Sequence, residues 1–168
     1  MLKRILALSV VFLLASSVAY ATVVRNRVTI KGSDTMVIMV QRLAEEYMGK
    51  FRGKVIQVSG GGSGVGIAAL INKTTDIANA SRQIKDSERN AIKKAWGKDP
   101  REFKVALDGI TIYVHPDNPV KDLTLAQLKD IFTGKITSWK EFGWEDKPII
   151  VYTRENSSGT YVFFKEHV

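Results

Sequence analysis

Three short segments of this 168-residue chain bring together small residues, hydroxyls and the start of a helical pattern. They are Gly32-Ser33-Asp34-Thr35-Met36, Gly60-Gly61-Gly62-Ser63-Gly64-Val65-Gly66 and Arg154-Glu155-Asn156-Ser157-Ser158-Gly159-Thr160. The first turn of a helix presents unpaired N–H groups and a partial positive charge, so it can hold a tetrahedral oxyanion without any lysine. Glycine lets the backbone come close to a ligand, and Ser and Thr hydroxyls add donors. Each segment also has a plainer reading. Ser33 or Asp34 is a helix N-cap. The glycine cluster reads as a linker or a nucleotide loop, though no Gly-Lys-Ser/Thr follows it. Ser158-Gly159-Thr160 is a good helix start. The three together are far more specific than any one, because three converging helix starts would wrap a small anion.

The elements that must position these segments follow from the apolar period, which changes repeatedly between two and 3.6. Val28-Thr29-Ile30 alternates as a strand, and Met36, Met39, Val40, Leu43, Ala44 and Tyr47 mark one helix face. Val55 to Val58 is a second strand, and Val65 to Ile71 a helix that begins at the glycines. Asp76 to Ala80 is strand-like. Asp86 to Trp96 has helical spacing with Gly97 as its stop, and Thr124 caps a helix from Leu125 to Phe132. Phe103 to Leu107, Ile110 to Val114 and Pro148 to Tyr152 are β-rich. Strands alternating with helices predict an α/β fold with a mainly parallel sheet. The turn-forming stretch His115-Pro116-Asp117-Asn118-Pro119 sets the domain division: a first lobe at 22–110 and a partial second lobe at 111–168.

Residues 1–21 read as a secretory signal peptide. Lys3 and Arg4 precede the apolar run Ile5 to Leu14, and Ala19-Tyr20-Ala21 supplies a cleavage site. The run is shorter than the roughly 20 residues of a spanning helix. The sequence contains no cysteine, which excludes disulfides, thiolate metal sites and a lipid-bearing cysteine behind the leader. A periplasmic or secreted location is therefore expected. The formal charge of +8 falls by two when Lys3 and Arg4 leave with the leader, and the remaining cations are interleaved with acids, as in Lys85-Asp86-Ser87-Glu88-Arg89. That pattern is a solvated surface rather than a nucleic-acid face. His115 and His167 offer no metal spacing and no Ser-His-Asp set, so neither a metal, a cofactor nor catalysis is expected. Trp96, Trp139 and Trp144 are expected to pack helices and loops, and Phe163 and Phe164 to be core.

The strings GSDTM, SGGGSGVGI, DIANASRQIK, LDGITIYVHPDNPV, LTLAQLKDIFTGKITSW and RENSSGTY occur here in one order. From about Val28 to the last residue the chain resembles the substrate-binding proteins of phosphate ABC transporters. The resemblance implies a periplasmic-binding-protein-like (type II) two-lobed clamshell in which a phosphate ion is buried between α/β lobes. It also implies delivery to a membrane permease by a monomer. Carried over position by position, it places phosphate ligands at Thr35, at the backbone N–H of Met36, at Ser63, and at Arg154, Ser158, Gly159 and Thr160. Arg154 would supply a bidentate charged contact.

Two departures qualify the resemblance. Where the best-known members carry an aspartate that accepts the phosphate's own proton, this chain has Arg82. An acceptor penalises sulfate, which has no proton to give; Arg82 enters the candidate ligand set as a cation instead, and Asp34 is either a substitute acceptor or a plain cap. Second, family members continue well beyond the Arg-x-x-x-Ser-Gly-Thr helix, so the second lobe is expected to be incomplete. The alternatives carried forward are a receptor for another tetrahedral oxyanion, a secreted hydrolase using Ser63 or Ser158, and a fragment that binds nothing. A hydrolase needs a general base in reach of its serine, and the sequence suggests none.

Overall fold

A computed structural model describes residues 27–168, so the expected leader and its cleavage site lie outside the described residues. The chain divides into two compact units, the first ending at Ala80 and the second beginning at Ser81.

In the first unit, β1 (Arg27–Gly32), α1 (Asp34–Lys50), β2 (Val55–Ser59), α2 (Ser63–Ile71) and β3 (Ile77–Asn79) follow in order. The three strands form one parallel sheet in the order β2-β1-β3. Parallel neighbours need crossover connections, and α1 and α2 supply them. Arg27 is opposite Val55, and Gly32 is opposite Asn79, so the carboxyl ends of β1 and β3 finish side by side. The helix face read from the sequence is the one buried in part: Val40 and Ala44, one turn apart, are in the core with Ile30, Ile67 and Ala69. Burying each isoleucine contributes about 1.5–3 kcal/mol. Leu43 and Tyr47 of the same face stay exposed, and Tyr47 packs on Phe51, ring centroids 4.6 Å apart. Gly66 sets how closely α2 lies on the sheet. A Cβ there would stand 2.5 Å from Gly32 Cα and 2.9 Å from the Lys31 carbonyl carbon, so any other residue pushes α2 off β1.

In the second unit, α3 (Asp86–Trp96), α4 (Leu125–Phe132), a 3-10 turn (Trp139–Phe142) and α5 (Gly159–His167) are linked by long irregular segments. The helix limits match the sequence reading. Gly97 ends α3 in the left-handed region (φ 71°), and Thr124 caps α4 by accepting from the Gln127 N–H while the Gln127 side chain accepts from the Thr124 N–H. Ile92, Leu128 and Ile131 are buried, and Phe132 of α4 packs on Phe164 of α5 at 4.6 Å. Phe163, expected in the core, is instead exposed and stacks on His167 at 3.9 Å, one turn along the same helix. Trp139 packs against Phe142 and Trp144, and Lys147 lies over the Trp144 ring.

The expected strands of this unit are not formed. Residues 103–114 have no strand partner among the described residues, and Phe103, Leu107 and Tyr113 are largely exposed. The expected strand from Pro148 to Tyr152 is reduced to one antiparallel bridge between Ser138 and Pro148, with the Ile149 N–H donating to the Thr137 carbonyl at 2.8 Å. β-branched and aromatic residues fit a pleated surface, but a strand exists only when another backbone pairs with it.

The units part well before the expected lobe boundary near residue 110, because α3 and the loop before it are tied into the second unit. Lys85 Nζ pairs with Glu166 of α5 at 3.6 Å, and Ser81 Oγ lies 3.4 Å from Thr160 Oγ1.

Candidate functional site

The first unit gathers two of the three glycine-flanked helix starts at the carboxyl end of its sheet, the end at which open parallel sheets bind ligands. Their backbones are stitched together. The Gly62 N–H donates to the Gly32 carbonyl at 3.0 Å, joining the start of α2 to the end of β1. The Gly61 N–H donates to Asp34 Oδ1 at 2.8 Å, joining the glycine loop to the first residue of α1. The Ser33 N–H donates to the Asn79 carbonyl at 3.0 Å, which brings in β3. Gly61 and Gly62 take φ values of 116° and 91°, a region that side chains resist, so the loop's path depends on glycine at both.

Within this cluster Ser63 is fully buried and Thr35 is exposed. The Met36 N–H, expected to face the anion, donates to the Ser33 carbonyl at 3.2 Å. Asp34, open in the sequence between cap and proton acceptor, is used as a brace: the helix start shows no side-chain cap bond, and the carboxylate accepts from the neighbouring glycine loop.

The second unit presents the third helix start. Ser158 and Gly159 are buried, and Ser158 caps α5 by accepting from the Tyr161 N–H at 3.3 Å. Thr160 meets Ser81 through their hydroxyls. Arg154 lies at the exposed surface and pairs with its neighbour Glu155 at 3.0 Å, which holds the Glu155 carboxyl below its ordinary value.

Arg82 has a different setting. Its guanidinium makes a two-pronged contact with Glu88, Nη2 to Oε1 at 2.7 Å and Nη1 to Oε2 at 2.9 Å, and also donates to the Gln83 carbonyl. Its side chain is 8% exposed and that of Glu88 20%. The hydrogen bond to Arg82, outweighing burial, pulls the Glu88 carboxyl below its ordinary value, and the same bond raises Arg82. Glu88 Oε2 also accepts from the Lys85 N–H at the start of α3. Arg82 therefore arrives with its counter-charge attached.

Sequence reasoning passed over Asn79, Ser81 and Glu88, and took Ser33 only as a helix cap. A signal was present for Asn79, a polar residue closing a strand of a parallel sheet. Among the described residues, no group of three or more His, Cys, Asp or Glu is arranged to hold a metal ion.

Comparison with known proteins bears on the same segments. Residues 17–168 match the family described as a PBP superfamily domain. The chain is 40% identical over 141 residues to the phosphate-binding protein PstS of Staphylococcus epidermidis, covering 82% of this chain and 43% of that relative. It is 35% identical over 147 residues to PstS of Pseudomonas aeruginosa, covering 80% and 46%. The chain thus spans less than half the length of these curated relatives. Among solved structures, a Clostridium perfringens protein with bound phosphate superposes with a TM-score of 0.75 at 42% identity, over 84% of this chain and 55% of the other. An ABC-type phosphate transport receptor from Vibrio cholerae gives a TM-score of 0.66 at 37% identity, over 83% and 54%.

Proposed function

Because this chain belongs to the PBP superfamily, we propose that it is an extracytoplasmic solute-binding protein that captures inorganic phosphate and delivers it to the permease of an ABC transporter. The observation that carries the reading is the pair of helix starts in the first unit. Gly61 and Gly62 lock them to each other and to the end of β1, so two sets of first-turn N–H groups stand at one end of a parallel sheet. That is a preformed anion seat that needs no lysine. The likeness to phosphate-binding relatives over the described residues supports phosphate as the anion.

In this reading Thr35, Ser63 and the Met36 N–H, which gives up its 3.2 Å bond to the Ser33 carbonyl, are the first unit's ligands, and Arg154, Ser158, Gly159 and Thr160 those of the second. Arg154 exchanges its exposed partner Glu155 for phosphate, since a surface ion pair is worth only about 0–1 kcal/mol. Arg82, neutralised by Glu88, contributes position more than charge. Residues 22–110 and 111–168 are the corresponding lobes, although α3, within the first of these ranges, packs with the second compact unit. The protein works without a catalytic residue or cofactor, as a monomer, with no nucleic-acid partner. It is exported through a leader cleaved after Ala21 and carries no lipid.

Calorimetry of the chain with phosphate, sulfate and arsenate tests the proposal, with Arg154→Ala as the variant. Hydrogen bonds to charged groups contribute about 1.5–3 kcal/mol each. Loss of a two-pronged contact therefore weakens phosphate binding about a hundredfold or more. An affinity unchanged within about threefold, with circular dichroism intact, removes Arg154 from the site; no heat with any of the three anions overturns the function.

A further inference from the structure

We propose that the side-chain amide of Asn79 is an additional oxyanion donor of the first unit, and that, being an amide and not a carboxylate, it accepts tetrahedral anions at that position without telling one from another. The inference rests on the anion-binding reading above and adds to it a residue that neither the motifs nor the family resemblance assigns.

Asn79 closes β3 and is opposite Gly32, the last residue of β1. Its backbone carbonyl accepts from the Ser33 N–H, at the residue that begins α1. It is thus held against the stitched cluster of helix starts. The residue is 7% exposed, and its Nδ2 is buried with no hydrogen-bond partner. Buried donors in native folds are almost always paired, and an exception calls for an explanation. The backbone cannot relieve this one: the Asn79 carbonyl is committed to Ser33, and Gly32 packs directly on it, so closely that a side chain at position 32 would clash with it. An unpaired amide at the carboxyl end of a parallel sheet, beside two helix N-termini, is placed as ligand-binding donors are. Among the described residues Arg82 Nε is a second buried side-chain donor without a partner, but its guanidinium is already occupied by Glu88.

The chemistry of an amide makes the proposal specific. An N–H donor meets any oxyanion oxygen, so it does not separate protonated phosphate from unprotonated sulfate. A carboxylate at the same place would accept the proton of phosphate and repel sulfate. Replacing Asn79 by aspartate therefore converts an indifferent contact into a discriminating one without changing the side chain's shape.

The test is calorimetric titration of the unmodified chain, Asn79→Ala, Asn79→Asp and a distant control, Asn72→Ala at the exposed end of α2, with phosphate and with sulfate. Asn79→Ala is expected to weaken both anions by about tenfold or more, with their ratio held. Asn79→Asp is expected to raise the phosphate-to-sulfate affinity ratio about tenfold or more, and Asn72→Ala to change neither. If Asn79 only supports the fold, the ratio stays within about threefold in every variant, which overturns the proposal while leaving the anion-binding reading intact. Should Asn79→Ala fail to fold by circular dichroism, the ratio in the isosteric Asn79→Asp decides alone. Absence of binding to either anion by the unmodified chain overturns both.

Discussion

Removing the carboxylate of Glu88 should cost the second unit a large part of its stability. Arg82 is 8% exposed at its side chain and its Nε is already without a partner. In Glu88→Ala the two Nη contacts at 2.7 and 2.9 Å vanish, and a nearly buried cation keeps only the Gln83 carbonyl. Breaking a buried pair from one side costs about 3–5 kcal/mol. Glu88 retains some contact with water, so the lower end, about 3 kcal/mol, is the appropriate figure. The Lys85 N–H at the head of α3 loses its acceptor as well, which adds about 0.5–2 kcal/mol. All three tryptophans, Trp96, Trp139 and Trp144, belong to this unit, so urea unfolding followed by tryptophan fluorescence reports on it selectively. Removing both charges together, in Arg82→Met with Glu88→Leu, should be close to neutral, because the desolvation of the pair disappears with its attraction. A double-mutant cycle thus separates the pair from its surroundings. If Glu88→Ala costs less than about 1 kcal/mol, or the double variant loses as much as the single, the pair is not what holds this region.

Acid should expose the same contact. The folded Glu88 carboxyl lies below its ordinary value, so its contribution is fully present above the ordinary carboxylate range, near pH 4.3, and is lost as pH falls through the lowered folded value. Glu88→Gln should flatten that part of the stability profile in acid urea titrations. Gly66→Ala should destabilise the first unit by about 1–3 kcal/mol or more by forcing α2 from β1, read as a lowered thermal midpoint in circular dichroism. Thr124→Ala should cost about 1 kcal/mol through the lost cap of α4, seen as faster amide exchange in its first turn.

The elements around the glycines were legible because their signals are local. The stop at Gly97, the cap at Thr124 and the glycines of 60–66 each write their geometry into a few adjacent residues. What the sequence concealed depends on partners far along the chain. Residues 103–114 have the composition of strands, yet composition cannot say whether a backbone will lie alongside. Arg82 looked like a cation offered to a ligand, whereas Glu88, six residues on and brought back by the start of α3, claims it. Asn79 carried only the weak signal of a polar residue closing a strand. Its interest appears only when β3 ends beside β1 and its amide is left inside without an acceptor.

The strand order has a consequence for how the first unit comes into being. β1 is earliest in sequence yet central in the sheet, and it is paired on one side with Val55–Ser59 and on the other with Ile77–Asn79. No two of these strands are joined by a hairpin, so no part of the sheet can form from neighbours in sequence. Each pairing must wait for a whole helix to be laid down, and loop closure is met before any ladder rewards it. As the polypeptide emerges from a ribosome, nothing can lock until residues near 59 are free, and the sheet end bearing Ser33, Ser63 and Asn79 is complete only after residue 79. Such a chain forms its first ladder later than a hairpin-rich one of the same size, because every pairing in it joins segments far apart in sequence.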